Sequence, residues 1–172
     1  MASLGYIHNY TGPGKGKTTA ALGLALRALC AGKRVFFGQF MKGMPCSEHR
    51  AAELLPGLRM EQFGRKAFIK SPPEEEDLRL ARQGLERCAA ILREGQYEMV
   101  VLDELNVAVH CGLLSVQEVL RVLAQRAPGV EVVITGRNAP KELIEVADLV
   151  TEMKEVKHYY QQGVPARVGI EM

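Results

Sequence analysis

The chain lacks an excess of either charge. Lysine plus arginine number 22 and aspartate plus glutamate 20, a net of +2. That field is too weak to draw a protein onto nucleic acid or an anionic membrane. No apolar run reaches the ~18 residues that a transmembrane helix needs. No basic segment followed by an apolar core stands near Met1, so no secretory leader is expected. The four cysteines, Cys30, Cys46, Cys88 and Cys111, form no Cys-x-x-Cys pair. They are expected to be reduced thiols of a cytoplasmic protein, not a disulfide framework or a zinc site. Internal repeats and low-complexity stretches are absent, as are Ser-His-Asp, Cys-His and paired-histidine arrangements. His8, His49, His110 and His158 stand alone, and a lone histidine is usually a satisfied structural residue. Tryptophan is missing altogether.

What is present is an ordinary globular composition, 47% hydrophobic and 24% charged over 172 residues. It suits one domain spanning 1–172. The most informative stretch is Tyr10-Thr11-Gly12-Pro13-Gly14-Lys15-Gly16-Lys17-Thr18-Thr19. It follows an apolar, strand-like run and opens an alanine- and leucine-rich helix, the setting of a phosphate-binding loop. There, glycines let main-chain N–H groups wrap phosphate oxygens, and the helix N-terminus adds its positive dipole end. Lys17 would reach phosphate as a point charge, and Thr18 would place its hydroxyl on magnesium. Counting back from Gly16, the position usually held by the first glycine falls on Thr11, and Gly12 comes one step late. The motif is therefore a variant of the usual pattern.

Strand-like and helix-like runs alternate. Strands are expected at 4–10, 34–40, 58–63, 97–103, 130–135 and 147–153. Helices are expected at 18–31, 47–55, from the Ser71-Pro72-Pro73-Glu74 capping pattern to Glu94, from Ser115 to Gln125, and at 140–146. The tail from Glu155 is expected to form a hairpin or wrap the sheet edge. Alternation argues an α/β fold with a mostly parallel central sheet and helices on both faces, and such sheets bind ligands at the carboxyl ends of their strands. The remaining polar motifs fall at such ends. Met99-Val100-Val101-Leu102 runs into Asp103-Glu104, and either carboxylate can hold magnesium directly or through water. Lys42 follows the second strand and can contact triphosphate or a substrate amide, or be an exposed lysine in a turn. Arg137 can clamp phosphate with its planar fork or be a surface arginine. Asn106 is a polar contact or a helix start.

Taken together, TGPGKGKTTAALGLALRALCAGKRV, QFMKG, VVLDELNVAVHCGLL, VVITGRNAPKELIEVADLVTEM and VKHYYQQGVPARVGIE closely resemble the ATP:corrinoid adenosyltransferases of the CobA/CobO/BtuR type, in the family's order over nearly the whole chain. The resemblance implies a RecA-like P-loop fold, usually a homodimer. It implies transfer of the 5′-deoxyadenosyl group of ATP to the Co(I) of cobalamin or a related corrinoid, with triphosphate released and Mg2+ assisting. The family's nucleotide lies reversed relative to P-loop hydrolases. Co(I) needs no side-chain base, so the protein's task is to position the reactants and stabilise the leaving charge.

The resemblance makes Lys17, Thr18, Glu104 and Arg137 the catalytic candidates. The expected substrate contacts are Thr11, Gly12, Gly14, Lys15, Gly16, Lys17, Thr18, Thr19, Lys42, Asn106 and Phe68, and the expected metal ligands are Thr18, Asp103 and Glu104. A flavin-type reductase is the implied electron donor. Where the best-known members carry an aromatic pair that displaces the lower cobalt ligand, this chain reads Phe63-Gly64-Arg65-Lys66-Ala67-Phe68-Ile69, and Phe68 is the candidate substitute. Tyr159 also stands where a proline is common. A RecA-type motor would show basic nucleic-acid-binding loops and a small-molecule kinase an arginine-rich lid. Neither is evident. A non-catalytic sensor would not need Lys17, Thr18 and the acid pair together.

Overall fold

A computed structural model describes residues 4–66 and 72–171. Six strands, β1 (Ile7–Thr11), β2 (Val35–Phe40), β3 (Leu58–Phe63), β4 (Met99–Asp103), β5 (Glu131–Thr135) and β6 (Leu149–Glu152), alternate with helices. They form one sheet in the order β3-β2-β4-β5-β1-β6, with every pairing parallel. The loop-bearing strand β1 and the acid-bearing strand β4 are thus separated by β5, as in a RecA-like P-loop fold. Helices cover both faces: α1 (Lys17–Cys30) lies on one, and α3 (Glu75–Glu94), α4 (Leu105–His110), α5 (Val116–Ala124) and α6 (Lys141–Val146) lie on the other. The short α2 (Ala51–Leu54) follows a 3-10 turn at Ser47–Arg50.

The central strands are continuous apolar runs because both of their faces are buried. Along β4, Met99 and Val101 pack with Ala21, Ala25 and Ala28 of α1, while Val100 and Leu102 pack with Leu85, Cys88 and Leu92 of α3. The alanine stripe keeps α1 close to the sheet, and the flanking Leu22, Leu24 and Leu29 are only partly buried.

Most expected elements are present, with shifted edges. α3 starts at Glu75, later than the Ser71-Pro72-Pro73-Glu74 pattern suggests, and Ser71 itself lies outside the described residues. The cap is Glu74, paired reciprocally with Asp77. The prolines stand before the helix because the residue preceding a proline is pushed into extended backbone. Arg65 then fastens this start to the end of β3, reaching Asp77 at 2.7 and 2.9 Å and Glu74 at 2.7 Å. α4 was marked in the sequence only by Asn106 as an alternative helix start, because its apolar residues run straight on from β4. The tail, expected to form a hairpin or wrap the sheet edge, contains no strand among its described residues. It makes a 3-10 turn at Tyr159–Gln162 and folds back so that Tyr159 and Arg167 both bind Glu171. Lys15 Nζ donates to the Ile170 carbonyl at 3.3 Å, which brings the tail to the phosphate-binding loop.

Two helical glycines should respond oppositely to a methyl group. A Cβ on Gly84 would meet Cγ and Cβ of Phe63 at 2.5 and 2.6 Å, whereas one on Gly23 would meet nothing within 4 Å. Gly84→Ala is expected to destabilise by about 1–2 kcal/mol, the overpacking outweighing the gain in helix propensity. Gly23→Ala is expected to stabilise by about 0.5–1 kcal/mol. Urea unfolding of the two variants checks both signs.

Candidate functional site

Parallel register lines up the carboxyl ends of four strands. Gln39 of β2 lies beside Asp103 of β4, and Thr135 of β5 beside Tyr10 of β1. Each central strand then leaves the sheet through strained backbone. Among the described residues, Met41, Glu104 and Asn138 are the non-glycine residues with positive φ, at 66°, 59° and 56°. They follow β2, β4 and β5. Such strain gathers where a fold must aim side chains at a ligand.

The phosphate loop connects β1 to α1. Thr11 at the variant motif position is the last residue of β1, so the loop proper begins at Gly12. The departure from the usual spacing costs no loop glycine. Gly14 packs so closely that a Cβ would meet the Met153 carbonyl oxygen at 2.7 Å, while its N–H donates to the same oxygen. Gly16 caps α1 with φ 114°, a conformation that other residues rarely adopt. Lys17 is nearly buried, and its ammonium donates to the carbonyls of Gly12 at 2.8 Å and Gly14 at 2.7 Å. Burial lowers its pKa, helped by Arg137 and opposed by Glu104 and Asp103.

Asp103 is fully buried and accepts four hydrogen bonds. Oδ1 takes the hydroxyls of Thr18 at 2.8 Å and Thr135 at 2.7 Å, and Oδ2 takes Gln39 Nε2 and Lys42 Nζ, each at 3.2 Å. Thr135 Oγ1 in turn accepts the Glu104 N–H at 2.9 Å. For Lys42, burial works against the ammonium, but the charge and hydrogen bond of Asp103, with Glu48 and Glu104, outweigh it and raise the pKa. The Glu104 carboxylate has no hydrogen bond or ion pair with any described residue. Burial, then the neighbouring Asp103, raises its pKa against the pull of Lys42, Lys17 and Arg137.

These groups open into one cavity of about 690 Å³. Of the sequence-expected residues, Gly14, Lys15, Gly16, Lys17, Thr18, Thr19, Lys42, Glu104 and Arg137 line it. Asp103 lies behind the wall. Thr11 ends β1, and its Oγ1 accepts the Ala139 N–H at 3.3 Å. The Gly12 carbonyl faces Lys17. Asn106 is fully buried away from the wall, where its amide donates to Asn9 at 2.8 Å and to the Gly136 carbonyl at 3.1 Å, bracing β1 against the start of the β5 exit loop. Phe68 lies outside the described residues. Sequence reasoning missed Gln39, Thr135 and Asn9, whose polarity inside or at the end of apolar strands was the available signal, and Glu48. The tail residues His158, Gly169, Ile170 and Glu171 also line the cavity; they fall in the VKHYYQQGVPARVGIE stretch of the resemblance, where none of them is singled out for the site.

Thr18 and Glu104 are oxygen donors on the wall, a set that fits a hard divalent cation such as magnesium. Lys15, Lys17, Lys42 and Arg137 supply positive charge around it. The cavity is therefore suited to a polyphosphate.

Comparison with known proteins follows the same line. The family described as ATP:corrinoid adenosyltransferase BtuR/CobO/CobP matches residues 3–172. A corrinoid adenosyltransferase of a Sinorhizobium species is 37% identical over 171 residues, covering 97% of this chain and 80% of that protein. The corrinoid adenosyltransferase of Escherichia coli K12 is 36% identical over 168 residues, covering 97% and 85%. The corrinoid adenosyltransferase CobA of Salmonella typhimurium LT2 shows the same identity and coverage.

A carboxyl whose pKa is raised by folding binds its proton more tightly in the folded state. Its contribution to stability is present below the unfolded value and is lost as pH rises through the folded one. Glu104→Gln is therefore expected to raise the urea midpoint of the ligand-free protein at about pH 7, with the gain disappearing on acidification below 4.5, the ordinary value for the group. A pH series of urea titrations on the two proteins measures this.

Proposed function

This chain belongs to the ATP:corrinoid adenosyltransferase family, and on that premise we propose how its residues carry the reaction. It is an ATP:corrinoid adenosyltransferase and serves adenosylcobalamin biosynthesis. The corrinoid presents Co(I), whose electron pair forms a bond to the 5′ carbon of ATP. The bond from that carbon to the phosphate oxygen breaks, and triphosphate leaves with the electron pair. No proton has to be removed from the nucleophile, so the cavity needs no base. It needs groups that hold the triphosphate in line and meet the charge developing on the leaving oxygen.

The observation that carries this reading is the convergence of Lys17, Lys42 and Arg137 on one wall with Thr18 and a Glu104 carboxylate that makes no hydrogen bond to any described residue. Lys17 exchanges its two loop carbonyls for phosphate oxygens, and Arg137 supplies a second, exposed cation. The loop amides from Lys15 to Thr19 cradle the chain of phosphates. Thr18 and Glu104 would hold Mg2+, with Asp103 behind them orienting the Thr18 hydroxyl. The ion would neutralise phosphate charge. A cytoplasmic flavin-type reductase supplies Co(I), and the enzyme works as a homodimer. The edge strand β6, with Leu149 43% and Val150 42% exposed, offers apolar surface consistent with association.

With prereduced cob(I)alamin and Mg-ATP under anaerobic conditions, Lys17→Ala is expected to lower adenosylcobalamin formation by at least about 10²-fold while the circular dichroism stays that of the wild type. Glu104→Ala is expected to shift the Mg2+ dependence to higher concentration and lower the rate. Normal turnover by Lys17→Ala would remove the phosphate loop from the reaction.

A further inference from the structure

His49 belongs to the 3-10 turn Ser47–Arg50, which brings Ser47 and Glu48 to the cavity wall. Its ring is used at both nitrogens. Nδ1 accepts the backbone N–H of Cys46 at 2.8 Å, so Nδ1 carries the lone pair. In the neutral ring the proton then sits on Nε2, which donates to Gln39 Oε1 at 2.6 Å. This fixes the orientation of the Gln39 amide. The oxygen faces His49, and Nε2 has one proton for Glu48 Oε1 at 3.2 Å and one for Asp103 Oδ2 at 3.2 Å. The opposite orientation would set the amide oxygen against two carboxylates. Gln39 is fully buried, so water cannot repair that arrangement.

We infer that His49 is a positioning residue. By setting the orientation of Gln39 it holds Asp103 and Glu48, and through them Thr18 and Lys42, in the geometry that receives the nucleotide triphosphate. Lys42 lies between the same two carboxylates, 3.2 Å from Asp103 and 3.8 Å from Glu48. A turned Gln39 would therefore disturb a cavity cation as well as the partner of Thr18. Sequence alone reads His49 as an isolated structural histidine. In the fold it joins the turn of one cavity wall to the acid strand of the other. The role of the held groups in transfer rests on the proposed reaction, whereas the role of His49 in arranging them does not.

Two substitutions separate positioning from simple capping of the turn. In His49→Asn the amide oxygen takes the place of Nδ1 and keeps the Cys46 bond, but the side chain is too short to reach Gln39. In His49→Gln the amide nitrogen takes the place of Nε2 and can donate to Gln39. Mg-ATP affinity by calorimetry and adenosyl transfer to prereduced cob(I)alamin are measured on both variants and the wild type, with melting temperature as control. His49→Asn is expected to lose about tenfold in affinity and in kcat/KM, and His49→Gln to stay within about twofold of wild type, with both melting within a few degrees of it. Wild-type behaviour of His49→Asn, or an equal loss in both variants, overturns the inference. A wild type that binds Mg-ATP yet transfers no adenosyl group overturns the proposed reaction, and the affinity comparison alone then decides the role of His49.

Discussion

The carboxylate of Asp103 is the point on which the site depends. It sits at the end of a strand with no exposure to solvent, and a charge so placed is tolerated only when fully hydrogen-bonded. Its four donors come from four places: Thr18 from α1, Thr135 from β5, Gln39 from β2 and Lys42 from the loop after β2. The same contacts that satisfy the charge therefore fix the relative placement of the phosphate loop, the acid strand and the lysine loop. Because Asp103 is saturated, the adjacent Glu104 is left to face the cavity. Neighbouring carboxylates thus acquire different tasks from their surroundings alone.

Around this centre the backbone accepts strain. Glu104 turns out of β4 in the left-handed region, which lifts its carboxyl toward the cavity while its N–H is retained by Thr135. The phosphate loop is held from beneath by Met153, which follows β6, so the sheet edge takes part in shaping the loop. The Lys17 ammonium is satisfied on the carbonyls of Gly12 and Gly14. In the proposed reaction phosphate oxygens would take the place of these carbonyls, so the buried cation would keep oxygen partners throughout. The folded-back tail supplies the outer wall, with Tyr159, Arg167 and Glu171 closing it on itself.

Local chemistry made much of this legible in advance. The apolar runs of β2, β4 and β5 announced buried parallel strands, and the Ser115–Glu118 capping box placed the start of α5 correctly. The glycine-rich turn before an alanine-rich helix located the loop, Lys17 and Thr18. What stayed hidden depends on contacts distant in sequence. α4 could not be separated from β4 by hydrophobicity alone. Gln39 and Thr135 read as incidental polar residues until register placed them beside Asp103. Asn106 read as a polar contact or a helix start, and it is both, buried in the first turn of α4 with its amide on Asn9. The tail carries no periodic pattern, and only its contact with Lys15 reveals that it borders the cavity. Overall, the β1 and β4 motifs gave the cavity floor, and tertiary pairing supplied its walls.

In the proposed reaction a P-loop site serves displacement at carbon and not phosphoryl transfer. The direct measurement is the phosphate product formed anaerobically from Mg-ATP and prereduced cob(I)alamin, followed together with the cobalamin spectrum. Intact triphosphate, appearing in step with light-sensitive adenosylcobalamin, is the expected result. ADP and phosphate with an unchanged corrinoid spectrum would mean that the same lysine, threonine and carboxylates serve hydrolysis, and would contradict the account.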